Sequence, residues 1–173
     1  NASRTMLFNI NTLRWDDELL KLFDIPKSLL PEVVHSDSCF GSLSELGDIT
    51  IHAVLGDQQA ALFGQGCLEK GQLKSTYGTG CFIMSNVGDK PIHSDDGLLT
   101  TIGYSLNGEV YYAIEGSIYA SGTTVQWLRD NLQFFDKSDQ SEIYLNEDGN
   151  ANNVLFIPAF TGLGAPYWNS EIR

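Results

Sequence analysis

The chain has 173 residues, 42% of them hydrophobic, with 22 acidic against 10 basic residues and a formal net charge of −12. That size and composition can bury a real core, enough for one domain or parts of two. The charge argues against nucleic acid or an anionic membrane surface as partner, because a phosphate backbone is held by clustered Lys and Arg and the basic residues here are scattered.

The chain opens on polar Asn1-Ala2-Ser3-Arg4, and no apolar run approaches about 20 residues, so neither a signal peptide nor membrane insertion is expected. Asn1-Ala2-Ser3 fits the glycosylation sequon, a chance match in a cytoplasmic chain. Cys39, Cys67 and Cys81 lack CxxC spacing and read as reduced, buried thiols of a cytoplasmic protein. Residues 15–23 place Trp15, Leu19, Leu20 and Phe23 on one helical face, with Asp16 and Asp17 in the first turn, where the helix dipole favours them. Pro26 and Pro31 end that pattern. Residues 35–48, rich in Ser, Gly and Asp, read as a loop. Residues 49–55 read as a strand that contains His52 and runs into Gly56-Asp57, and 58–67 as a short helix. A residue at such a strand-to-helix corner lies at the mouth of a cleft in many α/β folds.

After Gly71 the texture changes to strands joined by hairpins. Residues 74–77 and 81–87 flank Gly78-Thr79-Gly80. Residues 98–106 and 110–114 flank Asn107-Gly108, the strongest short hairpin signal. A helix is predicted over 118–132 with Gly122 in its first turns, then a strand over 153–158 and a glycine-rich loop over 161–166. The change of texture near 66–71 marks the candidate domain boundary, giving domains 1–66 and 67–173. The three histidines, His35, His52 and His93, show no metal spacing.

Two segments carry chemistry. Gly56-Asp57-Gln58-Gln59 puts a carboxylate and an amide at the end of an apolar run. One helix later, Thr76-Tyr77-Gly78-Thr79-Gly80-Cys81-Phe82 is a tight glycine turn with a hydroxyl at its centre, of a kind that lets backbone N–H groups approach phosphate oxygens. Together they imply a base facing a phosphate, the arrangement phosphoryl transfer requires. Each has a plainer alternative: Asp57 as a helix cap, Gly78-Thr79-Gly80 as an ordinary hairpin turn, Phe82 as a core residue. The turn is neither a Walker loop nor a dinucleotide fingerprint. Gly122 costs a helix about 1 kcal/mol relative to Ala, so a neighbouring element or a ligand must approach its backbone closely.

Order and spacing extend the pattern. Gly56 to Gln65, Thr76 to Phe82, Gly97-Leu98-Leu99-Thr100-Thr101, Tyr112-Ala113-Ile114-Glu115-Gly116-Ser117, Gln126-Trp127-Leu128-Arg129-Asp130 and Pro158 to Trp168 closely resemble the glycerol kinases of the carbohydrate kinase family. Asn1-Ala2-Ser3-Arg4-Thr5-Met6 matches too, so the resemblance covers essentially the whole chain. It implies an α/β fold, a fragment of the two-lobed actin-like (ribonuclease H-like) ATPase architecture with mixed sheets and flanking helices. It implies ATP-dependent phosphorylation of glycerol with Mg2+, in the cytoplasm, by a parent enzyme that is a homodimer or tetramer.

Residue by residue, the resemblance makes Asp57 the catalytic base, near the magnesium and touching substrate. Gln58 becomes a glycerol hydroxyl ligand and Phe82 an aromatic packed on the glycerol carbons. Thr79 contacts the ATP phosphates, and Gly122 and Gln126 belong to the nucleotide site. The match is to a central portion. The first phosphate hairpin, a second metal-linked Asp, the Arg-Glu pair of the glycerol site and the adenine-binding glycines lie outside it, so the isolated piece is expected to be inactive. The loop at 40–48 is shorter than in glycerol kinases regulated by fructose 1,6-bisphosphate and lacks their Gly-Arg element. The alternatives are a sister kinase acting on a ketose or other polyol, and a non-catalytic actin-like ATP-binding protein; a pure binding module has no need of a base such as Asp57.

Overall fold

A computed structural model describes residues 1–145 and 153–172; Arg173, where the second expected domain ends, lies outside the described residues. The chain forms two compact units, Asn1–Lys74 with Met84–Glu115, and Ser75–Ile83 with Gly116–Arg173. Among the described residues no helix is long and apolar enough to cross a membrane.

The first unit begins with an antiparallel ribbon, β1 (Phe8–Asn9) and β2 (Arg14–Trp15), in which Phe8 faces Trp15 and the rings meet edge to face at 5.5 Å. The ribbon takes Trp15 out of the helix predicted over 15–23. Helix α1 (Asp17–Leu22) therefore starts after Asp16, whose carboxylate caps it by accepting from the Glu18 and Leu19 amides. Asp16 also accepts from Asn9 Nδ2 at 2.9 Å; that bond first, then those from the backbone, holds its carboxyl below the usual range. Of the strand predicted over 49–55 only β4 (Ile49–Thr50) pairs, with β3 (Ser42–Leu43). Beyond β4, Ile51 accepts from the Phe40 amide at 2.9 Å and donates to Gly41 O at 2.8 Å, Val54 donates to Ser36 O at 3.0 Å, and His52 stands exposed outside any strand.

Helix α2 (Asp57–Gly64) is shorter than the predicted 58–67 because Gly66, at φ +75°, closes it in a Schellman motif. The Gly66 amide donates to Phe63 O at 2.9 Å and the Cys67 amide to Leu62 O at 3.1 Å. The main sheet has the order β5-β6-β8-β7, built from β5 (Leu73–Tyr77), β6 (Cys81–Gly88), β7 (Leu99–Leu106) and β8 (Glu109–Ile118). Asn107 and Gly108 have φ of +53° and +84°, the signature of the tight turn that joins β7 to β8 with Leu106 opposite Glu109. A register shift between Ile102 and Tyr104 leaves Gly103 against α2, where a Cβ would stand 3.2 Å from Leu62 Cδ2. Leu62, Cys67, Met84, Tyr104 and Ala113 form the core beneath α2. Within it the Asn86 amide donates to Cys67 O at 3.0 Å and Tyr104 Oη at 3.1 Å, so this buried polar side chain is satisfied.

In the second unit, α3 (Gly122–Asp130) begins four residues later than predicted because β8 runs on to Ile118. Trp127 of α3 packs on Phe156 at 5.6 Å and Phe160 at 5.3 Å. The strand predicted over 153–158 is irregular chain instead: Phe156 alone of its apolar residues joins this aromatic stack, while Val154, Leu155 and Ile157 are exposed. Cys67 and Cys81 are buried free thiols as expected, whereas Cys39 is exposed, because it lies in the irregular stretch before β3 rather than in the core.

Candidate active site

In the first unit, the turn into α2 sets Asp57 and Gln58 side by side. Gly56 is the cap residue and offers no side chain; Asp57 is the first helical residue and is exposed. A carboxylate is electrostatically favoured there, yet Asp57 caps nothing: its Oδ2 accepts from Gln58 Nε2 at 3.2 Å. The helix-cap alternative thus gives way to a carboxylate open to a ligand. A Cβ on Gly56 would stand 2.9 Å from Gln59 Oε1 and 3.3 Å from Asn1 Oδ1, the ends of two side chains that would have to shift.

Sequence reasoning missed two charged residues here. Lys74 on β5 is 4% exposed and its Nζ donates to Gln58 Oε1. Its only sequence signal is alternation with its neighbours, which fits an outward lysine equally well. Glu115 is also buried, at 5% exposure, and accepts from Arg4 Nη1 at 2.5 Å; Ser3 Oγ lies 3.2 Å from Thr101 Oγ1 beside it. These contacts fasten the N-terminal 3-10 turn (Ala2–Arg4) onto β7 and β8.

The second unit holds the remaining candidates. Phe82 follows the buried Cys81 on β6 but is 37% exposed, which removes it from the core. The Gly78-Thr79-Gly80 turn and the start of α3 are locked together. The Gly122 amide donates to Gly78 O at 2.9 Å, and the Ser121 and Thr123 amides donate to Thr79 O at 2.9 and 3.2 Å. Thr123 Oγ1 adds a third bond to the same oxygen at 3.0 Å, while the Thr79 side chain stays exposed. Neither Gly78 nor Gly80 needs a left-handed φ. Glycine is demanded by close approach: a Cβ on Gly80 would lie 2.5 Å from Ile118 O, and one on Gly122 the same 2.5 Å from Gly78 O. The close neighbour expected for Gly122 is therefore the turn's own backbone. Gln126 lies one helical turn beyond Gly122, exposed, in a shallow groove with Trp127, Asp130 and Phe160.

Within the units, then, the structure brings Asp57 to Gln58, and Thr79 to Gly122 with Gln126 one turn on. Among the described residues no group of three or more His, Cys, Asp or Glu side chains could hold a metal unaided. A single open carboxylate such as Asp57 does suit Mg2+, which keeps several waters and is bound through one or two carboxylates plus substrate phosphates.

Comparison with known proteins gives two family models that between them match nearly all of the chain. The N-terminal domain of the FGGY family of carbohydrate kinases matches residues 1–64, and the C-terminal domain of that family matches 73–173. The chain is 52% identical over its whole length to a glycerol kinase of Natranaerobius thermophilus and 54% identical to one of Limosilactobacillus reuteri. It spans about 36% and 35% of those proteins respectively. Among solved structures, Plasmodium falciparum glycerol kinase with ADP superposes with a TM-score of 0.86 at 43% identity, covering 100% of this chain and 36% of that one. A xylulose kinase from Lactobacillus acidophilus superposes with a TM-score of 0.80 at 21% identity, covering 96% of this chain and 35% of that one, a likeness of fold alone.

Proposed function

This chain belongs to the FGGY family of carbohydrate kinases, with the actin-like ATPase fold of that family, and from that premise we propose that it forms part of an enzyme that phosphorylates glycerol with ATP. The observation that carries the reading is Asp57: an exposed carboxylate on the first turn of α2, unused as a cap and joined to the Gln58 amide. In the reaction a glycerol hydroxyl oxygen bonds to the γ-phosphorus, the bond from that phosphorus to the ADP oxygen breaks, and the hydroxyl proton passes to Asp57. Such transfer depends mainly on positioning and charge neutralisation, with one carboxylate to receive the proton.

Gln58 supplies an amide donor for a polyol hydroxyl, which loses water on binding and requires a polar partner in exchange. Phe82 offers an exposed aromatic face for the glycerol carbons. Thr79, Gly122 and Gln126 form the nucleotide's side, in which the exposed Thr79 hydroxyl is presented by a turn whose carbonyl oxygens anchor it to α3. Asp57 is the residue that would help hold Mg2+, whose charge would offset that of the phosphates. The same reading places the lobe boundary between 66 and 67, within the gap separating the two family-model matches. It also places the enzyme in the cytoplasm, in keeping with three free thiols.

The test is ADP release by the full-length protein with Mg-ATP and glycerol, set beside xylulose, ribulose and gluconate, for wild type and Asp57→Asn. Activity on glycerol that falls by about 10²–10⁴ in kcat in the variant, with ATP still bound, is the expected result. Preference for a ketose makes the protein a sister kinase, and full activity of Asp57→Asn removes the base.

A further inference from the structure

Lys74 is a basic residue that no step of the reaction uses, yet it is almost completely buried on β5, where its neighbours Leu73 and Ser75 are exposed. An ammonium group has three donors and no acceptor. Whatever it faces must turn an oxygen toward it, and Gln58 turns its Oε1. That contact decides which way the Gln58 carboxamide lies, a matter its shape leaves open. With the oxygen on Lys74, Nε2 must point the other way, and it points to Asp57 Oδ2 at 3.2 Å. The three side chains form a one-way series of donors: ammonium to amide oxygen, amide nitrogen to carboxylate.

We propose that Lys74 is a positioning residue for the polyol site, fixing the Gln58 amide so that its nitrogen faces Asp57 and an incoming hydroxyl. The inference rests on the reading of Gln58 as a substrate ligand. Gln58 Nε2 carries two hydrogens. One is given to Asp57, and the second can be given to a substrate hydroxyl oxygen while Asp57's other oxygen accepts that hydroxyl's proton. A flipped amide would set its carbonyl oxygen against the carboxylate, two acceptors with no proton between them, and Gln58 and Asp57 would splay apart. The buried ammonium removes that second orientation. It also polarises the amide it holds, which strengthens the N–H donors at the far end.

The experiment is a double-mutant cycle on the full-length enzyme, with Lys74→Met, Gln58→Ala and the pair. The readouts are KM for glycerol, KM for ATP and kcat. Lys74→Met is expected to raise the glycerol KM at least tenfold and to leave the ATP KM within twofold. In the Gln58→Ala background it should add less than a further twofold, because the amide that Lys74 orients is then absent. Independent, multiplicative effects, or a parallel rise in the ATP KM, would mean that Lys74 only supports the fold, and would overturn the proposal. If Lys74→Met does not melt cooperatively, Lys74→Arg replaces it. This variant retains donors, so a glycerol KM within threefold of wild type is expected, and a loss as large as that of Gln58→Ala overturns the proposal. Wild-type preference for a ketose overturns the substrate reading alone, and the cycle is then read with that ketose.

Discussion

Three glycines close to one another in the second unit should respond to alanine very differently. Gly80→Ala and Gly122→Ala each place a methyl carbon 2.5 Å from a backbone oxygen, of Ile118 and Gly78 respectively, whereas Gly78→Ala meets nothing nearer than Gly80 O at 3.8 Å. None of the three has a left-handed φ, so the comparison isolates space from backbone strain. At Gly122 the turn and the helix start must separate by roughly 1 Å to reach van der Waals contact. That strains the bonds from the Gly122 amide to Gly78 O and from the Thr123 amide to Thr79 O. Overpacking costs about 1–3 kcal/mol, and each weakened backbone bond contributes up to about 1 kcal/mol more. Alanine recovers little helix propensity in return, since Gly122 is the first residue of α3 rather than an interior one. A net local loss of about 2 kcal/mol is expected for Gly80→Ala and Gly122→Ala, and less than about 0.5 kcal/mol for Gly78→Ala. Hydrogen exchange at the Ser121, Gly122 and Thr123 amides reads this opening directly, and 2 kcal/mol corresponds to roughly 30-fold faster exchange. If the turn positions Thr79 for ATP, the same two variants raise the ATP KM and Gly78→Ala does not. Equal effects at all three positions would refute the packing argument.

The Arg4–Glu115 pair is asymmetric, with side-chain exposures of 45% and 5%, so its two halves should not be equivalent. Arg4→Met leaves a carboxylate buried without its partner and should destabilise the first unit by about 2 kcal/mol, whereas Glu115→Gln leaves an arginine that water can reach and should cost under about 1 kcal/mol. Urea titrations monitored in the first unit would show the order, and the reverse order would sink it. Asp16 provides a pH test. Its folded pKa is depressed by Asn9 and the α1 amides, so its contribution is present above the ordinary carboxylate pKa and is lost as pH falls through the depressed value. Asp16→Asn should therefore flatten the fall of stability below about pH 4 while hardly altering it at pH 7, where asparagine also caps; a parallel shift at both pH values contradicts the assignment.

Much of this arrangement was legible in the sequence where the signal is local. Asn107-Gly108 specifies its own turn through two left-handed residues, and Gly122, read inside a helix over 118–132, pointed to a close approach that the turn's backbone makes, although the helix starts at Gly122 itself. What failed was non-local. Trp15 has helical spacing, but its ring partner, Phe8, lies across a ribbon only two residues wide, and the ribbon took it. Residues 49–55 have strand composition, but a strand exists only where another pairs with it, and beyond Thr50 the ladder gives way to two bonds at Ile51 and one at Val54. Lys74 is the sharpest case, because an alternating strand looks the same whether its lysine faces water or the amide of Gln58.

The two readings of Asp57 differ by one residue of helix register, which explains why sequence alone left both open. A helix starting at Gln58 would make Asp57 the cap, its carboxylate consumed by the amides two and three residues ahead. The helix starts at Asp57 instead. Gly56 occupies the cap position with no side chain, and its carbonyl oxygen takes the Ala60 amide at 2.7 Å. Among the described residues that leaves the Asp57 carboxylate bonded only sideways, to Gln58, at a helix end whose dipole favours negative charge. Replacing Gly56 with serine would offer a cap, but its Cβ would crowd Gln59 Oε1 at 2.9 Å. The helix start at Asp57 thus leaves that carboxylate open, and the base proposed at this corner depends on it.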